Sequence, residues 1–219
     1  PYRGTVPPGQ AIRILTGATL PKGVDTVVLE EDVTIVDIGG TGVFFNDTLD
    51  GAHSLTVNAD ATTYFGDKVG RATALTNLLV TGPGSTTLTD DVFTTGPQTF
   101  SENVTLAGNV LLDVLGNSTV TVNGTINGAF RFQVNTAGST VFGGKIGDTT
   151  RLDSVTVTVP GATTLADDVL TTGNQTYAED VTLAGDVVLD TSGGSLSFRD
   201  TIDSDTSAAR SLVVNSTGV

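Results

Sequence analysis

Asp90-Asp91-Val92-Phe93-Thr94-Thr95-Gly96-Pro97-Gln98-Thr99-Phe100, continued by Glu102-Asn103-Val104-Thr105-Leu106-Ala107-Gly108, decides how this chain is read. It returns as Asp167-Asp168-Val169-Leu170-Thr171-Thr172-Gly173-Asn174-Gln175-Thr176-Tyr177 and Glu179-Asp180-Val181-Thr182-Leu183-Ala184-Gly185. The same offset of about 77 residues carries Thr63-Tyr64-Phe65-Gly66-Asp67-Lys68-Val69-Gly70 onto Thr140-Val141-Phe142-Gly143-Gly144-Lys145-Ile146-Gly147. It also carries Asn46-Asp47-Thr48-Leu49 onto Asn123-Gly124-Thr125-Ile126. Such a period marks tandem repetition of one structural unit.

Around these copies the chain alternates β-branched and polar residues, as in Val43-Phe44-Phe45, Ser54-Leu55-Thr56-Val57, Thr62-Thr63-Tyr64-Phe65, Thr119-Val120-Thr121-Val122, Phe130-Arg131-Phe132-Gln133-Val134 and Val155-Thr156-Val157-Thr158-Val159. Each run ends in Asn, Asp, Gly or Pro, the residues of tight turns. A shorter beat lies inside the unit: Phe45-Asn46-Asp47 recurs as Phe65-Gly66-Asp67. Pieces of about 19–20 residues suit one coil of a parallel β-solenoid, stacked at roughly 4.8 Å over a narrow apolar column. The expected fold is all-β: a parallel β-solenoid (β-helix) of tandem units of about four coils each, with a short non-repeat β segment at the N-terminus. Two tandem β-sandwiches are the rival, disfavoured by the shorter beat and by a content of only 9 Phe and 3 Tyr.

The expected division is residues 1–37 as the front segment and 38–219 as the repeat domain, with units at about 43–119 and 120–195 and a partial unit at 196–219. Ser197-Phe198-Arg199-Asp200-Thr201-Ile202-Asp203 restarts the unit, and Asp205-Thr206-Ser207-Ala208-Ala209-Arg210 lengthens the loop after it. The unit is cut within a repeat, which predicts continuation of the natural chain or completion by a partner.

The front segment has another texture. It holds Pro1, Pro7, Pro8 and Pro21, and two strand-like runs at Ala11-Ile12-Arg13-Ile14-Leu15 and Thr26-Val27-Val28-Leu29-Glu30. Pro1-Tyr2-Arg3-Gly4, Pro8-Gly9-Gln10-Ala11-Ile12-Arg13-Ile14-Leu15-Thr16-Gly17-Ala18 and Leu20-Pro21-Lys22-Gly23-Val24-Asp25-Thr26-Val27-Val28-Leu29-Glu30-Glu31 resemble a fragment of the molybdopterin molybdenumtransferase (MoeA) family. The resemblance implies a place by the active site for Thr16 and a link to molybdenum-cofactor biosynthesis. The nucleotide-binding-like α/β domain expected after it has no counterpart: no Gly/Ser phosphate loop leads into a helical pattern. The expectation for residues 1–37 is a cap or assembly segment for the solenoid. Residues 38–219 resemble the β-strand repeats of large bacterial surface proteins, filamentous-haemagglutinin-like and autotransporter passenger proteins, which implies an extracellular or cell-surface place.

Charge narrows the partners. Lys plus Arg number 10 against 24 for Asp plus Glu, a formal net charge of −14, which opposes nucleic acid and anionic membrane alike. No apolar run reaches the ~18 residues of a membrane-spanning helix, so no membrane insertion is expected. With no Cys, disulfides, zinc–thiolate sites and thiol catalysis are removed together.

Candidate sites are few. His53, the single histidine, invites a Ser-His-Asp reading, yet its repeat counterpart is Phe130, which marks a packing or loop position. Asp90, Asp91, Asp167 and Asp168 could serve a polysaccharide-cleaving β-helix or hold calcium weakly at the surface. The Gly-Gly-x-Gly-x-Asp nonapeptide is missing and EF-hand spacing is absent. The same four residues read more simply as turn formers. Asn-x-Ser/Thr triplets at Asn46, Asn103, Asn117, Asn123, Asn174 and Asn215 also double as turns. The Thr pairs Thr119/Thr121 and Thr156/Thr158 are too irregular for a flat threonine ladder. The function expected is non-enzymatic: an extracellular structural or adhesive repeat protein without a resident cofactor, self-associating through solenoid ends or edge strands.

Overall fold

Short alternating runs bounded by turn formers cannot propagate a helix, and they pair best along a pleated, half-buried surface. In a computed structural model that describes residues 26–158 and 161–217, the described residues form twenty-five strands and no helix. All paired strands run parallel. This is a β-solenoid of about eight turns with three strand positions per coil. Tandem sandwiches, which are antiparallel, are excluded.

The first face carries β2 (Val33–Asp37), β5 (Ser54–Ala59), β7 (Asn77–Thr81), β10 (Gln98–Phe100), β13 (Val120–Val122), β16 (Ser139–Phe142), β18 (Ala162–Leu165), β21 (Asp180–Leu183) and β24 (Ile202–Ser204). The second carries β3 (Val43–Phe45), β6 (Thr62–Phe65), β8 (Ser85–Leu88), β11 (Asn103–Leu106) and β14 (Ile126–Asn127). It continues through a bridge at Ile146 to β19 (Val169–Leu170), β22 (Val187–Asp190) and β25 (Leu212–Asn215). The third carries β1 (Thr26–Val28) and β4 (Thr48–Asp50), then a bridge at Val69. Above it lie β9 (Val92–Thr94), β12 (Val110–Val114), β15 (Arg131–Thr136), β17 (Ser154–Thr158), β20 (Gln175–Tyr177) and β23 (Leu196–Phe198).

On the first face Val33, Leu55, Leu78, Gln98, Val120, Thr140, Thr163, Val181 and Ile202 stand above one another. Successive differences in residue number give coils of 18 to 23 residues on this face. The short beat seen in the sequence is therefore a real coil step: Phe45 pairs with Phe65, and their rings stack at 5.1 Å and 7°.

Inward positions alternate with outward ones, and the inward set forms one continuous column of Leu, Val, Ile and Phe, including Leu49, Leu78, Val92, Leu112, Ile126, Phe132, Ile146 and Leu189. Each such side chain removed from water contributes about 1.5–3 kcal/mol, which lets a narrow core hold so many short strands.

The 77-residue unit does not contain a whole number of coils. From β4 to β14, counting the bridge at Val69, the chain advances eleven strand positions, or three and two-thirds coils. Each copy is consequently displaced by one face. Leu49, Val69 and Val92 bridge one another on the third face, whereas their counterparts Ile126, Ile146 and Val169 do so on the second. The restart at Thr201-Ile202 puts the next equivalent of Leu49 and Ile126 on the first face, in β24.

The stack also reaches further forward than residue 38. β1 pairs with β4, and β2 pairs with β5 along its full length. Thr26-Val27-Val28-Leu29 lies one unit ahead of Asn103-Val104-Thr105-Leu106, and Leu29 is buried like Leu106. Residues 26–37, read from sequence as front segment, thus run in the solenoid; residues 1–25, with the run at 11–15, lie outside the described residues.

Corners are as repetitive as strands. Gly70 (φ 72°) and Gly147 (φ 78°) occupy equivalent left-handed positions. A Cβ would lie 2.1 Å from the carbonyl oxygen of Phe93 at the first and of Leu170 at the second. Only glycine meets both demands.

Candidate functional site

The paired aspartates sit where the chain leaves one strand and enters the next, and most of their oxygens already have partners. Lys68 Nζ donates to Asp90 Oδ2 at 2.7 Å. Asp91 Oδ1 accepts the backbone N–H of Leu111, one coil on, at 2.9 Å. In the second copy Asp167 Oδ1 accepts the N–H of Asp168, whose own Oδ1 accepts Val188 N–H at 2.7 Å. Asp168 Oδ2 pairs with Lys145 Nζ at 3.0 Å. Burial pushes the Asp90 carboxyl upward, but the Lys68 hydrogen bond and the N–H of Asp91 outweigh it and leave the group below the ordinary value. Lys145 is raised, first by its hydrogen bond to Asp168.

Asp and Asn do the same work at other corners. Asp32, Asn109 and Asp186, one unit apart, accept the backbone N–H groups of Ser54, Arg131 and Ser211 at 2.8, 3.0 and 2.8 Å. Those three N–H groups open or immediately precede strands on the first, third and second faces respectively. Asp50 holds the N–H groups of Ala72 and Thr73 as Asn127 holds those of Thr149 and Thr150. A short side-chain acceptor at a corner satisfies backbone donors that the ladder leaves open, in the manner of an Asx cap.

Inside the coil, two polar groups are copied with their partners. Gln98 Nε2 reaches Val92 O, Thr94 Oγ1 and Asp113 O at 3.1, 3.2 and 3.0 Å. Gln175 Nε2 reaches Val169 O, Thr171 Oγ1 and Asp190 O at 2.9, 3.3 and 3.2 Å. Glu102 and Glu179 are both buried, each taking one hydrogen bond from a threonine hydroxyl: Thr86 at 2.7 Å and Thr163 at 2.5 Å. Burial lifts both carboxyls above the ordinary glutamate value, against the lowering effect of those threonines.

No family model matches the chain. No curated protein and no solved structure matches it either. The reading of the site therefore rests on its own geometry.

His53 is half-buried, with Nδ1 3.8 Å from Asp32 Oδ1. Its N–H donates to Gly51 O at 2.8 Å, as Phe130 N–H donates to Gly128 O at 2.8 Å. The two residues shape one kind of corner, and a phenyl ring does so as well as an imidazole. The Asp90/Asp91 and Asp167/Asp168 pairs lie beside different faces, so the four carboxylates do not converge on one substrate. Among the described residues no group of three or more His, Cys, Asp or Glu is placed to hold a metal ion. Calcium at Asp90 or Asp168 would have to displace Lys68 or Lys145. Thr16 lies outside the described residues.

Asn46, Asn103, Asn117, Asn123, Asn174 and Asn215 are all exposed. Asn103 and Asn174 cap the next coil through Thr125 N–H and Ser195 N–H. Thr121 and Thr99 stand in one outward column with Thr56, Thr34, Thr164 and Thr182, broken by Leu79 and Val141. The neighbouring column reads Ser54, Asn77 and, further on, Ser139, Ala162, Asp180, so no paired threonine array forms.

The residues missed by sequence reasoning are the interior ones, Gln98, Gln175, Glu102 and Glu179. A signal existed: each polar side chain recurs unchanged after 77 residues beside positions that vary, such as Phe93 against Leu170.

Proposed function

We propose that the chain is a non-enzymatic structural or adhesive rod, a segment of an extracellular or bacterial cell-surface assembly. One observation carries this reading. The polar side chains most suggestive of chemistry occur in copies that make the same backbone contacts on different faces, as Asp91 and Asp168 do with Leu111 and Val188. A side chain whose copies perform one corner task at several azimuths serves the scaffold. Parallel coils in register give stiffness along the axis, and an excess of carboxylates over amines keeps the flanks hydrated and mutually repulsive. Contacts between copies of the chain are then left to coil edges, where backbone donors and acceptors lie open.

Electron microscopy of the purified chain across protein concentrations tests this. Rods that join end to end, and that shorten when residues 1–25 are removed, are expected. Single short particles at every concentration, with or without those residues, would remove self-association from the account. Specific binding of a molybdopterin to the full chain would overturn the non-enzymatic reading.

A further inference from the structure

Glu102 and Glu179 stand apart from every other carboxylate in the described chain. Glu102 is 5% exposed and Glu179 2%. Asp50 is buried as deeply, at 4%, but its Oδ1 accepts two backbone N–H groups, from Ala72 and Thr73, and Asp90 and Asp168 each face a lysine. In each glutamate Oε1 meets one threonine hydroxyl. Oε2 is buried without a hydrogen-bond partner in Glu102, and in Glu179 it has no side-chain donor and lies beside the Gly161 backbone. The surroundings are copied too. Thr86 stands in register with Thr63, and Thr163 with Thr140, and the hydroxyls of Thr63 and Thr140 are buried and unpartnered. An ionised carboxylate met only by one or two neutral donors is a costly thing to bury; a neutral carboxyl is not.

We propose that Glu102 and Glu179 are proton-loaded corner residues that make the solenoid firmer in mildly acidic solution and loosen two of its corners as the solution becomes neutral. Among the described residues no basic side chain acts on either glutamate. The group acting on Glu102 is the Thr86 hydroxyl from the coil before it, and no ionisable side chain among the described residues contributes. Glu179 feels the Thr163 hydroxyl, the Gly161 backbone and the negative charge of Asp180, which favours the proton further. Both carboxyls lie above the ordinary 4.5. An acid raised in the folded state adds stability that is fully present below the unfolded value and is lost as pH rises through the folded one. Because the unit turns by one face per copy, the two responsive corners lie at different azimuths: between the first and second faces for Glu102, between the third and first for Glu179.

The test compares the full chain with E102Q, E179Q and the double variant, since glutamine keeps the neutral shape and cannot ionise. Unfolding midpoints are measured from pH 4.5 to pH 8. The wild-type midpoint should fall more steeply than that of the double variant, each single variant removing part of the difference, because distant sites add. Parallel curves overturn the proposal. Direct titration supplies a second readout independent of variant folding. The chain has four glutamates, Glu30, Glu31, Glu102 and Glu179, so carboxyl-labelled glutamate gives a sparse spectrum. Two resonances titrating above 4.5, assigned through the variants, support the proposal. Glu102 and Glu179 titrating at or below that value, or a wild-type midpoint at pH 8 that rises with added sodium or calcium and not in E102Q/E179Q, would show ionised, cation-paired carboxylates and overturn it.

Discussion

The two complete copies of the unit share most of their interior contacts and differ more outside. The interior exception is Tyr177, whose hydroxyl meets Gln175 Oε1 at 3.4 Å where Phe100 leaves Gln98 Oε1 without a partner. Gln98 and Gln175 make the same three bonds, and Thr94 and Thr171 donate to Gly96 O and Gly173 O at 2.6 and 2.7 Å. Outside, the copies diverge. Lys68 takes Asp90, but Lys145 takes Asp168, the counterpart of Asp91. Arg151 reaches Thr171 O and Asp190 in the second copy, where the first has Ala74 and joins Asn135 to Asp113 instead. The difference teaches where the fold is specified. Interior donors and acceptors have no water to fall back on, so a change there costs a whole bond, while outer ion pairs are exchangeable.

Five changes would break or sharpen that comparison. The largest effect is expected from Gly70→Ala and Gly147→Ala, each losing about 1–3 kcal/mol to the left-handed backbone alone. The contact with Phe93 O or Leu170 O adds to that loss. Denaturant unfolding should give similar losses on the two faces, and a large inequality would mean that the faces are not interchangeable. Gln98→Leu and Gln175→Leu come next. Each strands buried carbonyls at a cost of about 1–3 kcal/mol per unsatisfied group, read as a lower midpoint with an unchanged slope.

The pH dependence follows with its sign worked out. Asp205 is held down to about 2, first by its hydrogen bond with Arg210, then by Ser207. Asp190 is lowered chiefly by Arg151, and Asp180 by Thr201. These groups add stability that is present above the ordinary 3.8 and is lost as pH falls through their folded values. Together with the two raised glutamates they predict a thermal midpoint that peaks in mildly acidic solution and declines on both sides. A midpoint rising steadily to pH 8 would contradict this. Lys68→Ala and Lys145→Ala should lower stability only slightly, and less in high salt, because both pairs are partly exposed. The smallest effect is expected from His53→Phe, within about 0.5 kcal/mol, since Phe130 already fills the equivalent corner.

Much of the fold was legible in the sequence because periodicity in residues is visible there. The Phe45/Phe65 beat marked a coil, and the strands at 43–45, 54–59 and 62–65 fall where alternation placed them. The face on which a residue lands is not periodic in the same sense. It depends on the number of strands between two copies, and one of those strands is a single bridged residue, Val69, that leaves no run to see. Residues 26–37 were hidden for a different reason. Glu30-Glu31 stands where later copies have Ala107-Gly108 and Ala184-Gly185, so the copy loses its small-residue turn just after Thr26-Val27-Val28-Leu29. The sequence reads the candidate aspartates as turn formers; the partners of Asp91 and Asp168, backbone N–H groups twenty residues on, become visible only once the coils are stacked.

The displacement of the unit by one face is the centre of this account, and methyl–methyl nuclear Overhauser contacts test it most directly. Ile126 is expected over Val104 on the second face and Leu112 under Val134 on the third. If Ile126 instead shows contacts to the column of Leu49, Val69, Val92 and Leu112, the unit closes on a whole number of coils and the one-face displacement is wrong.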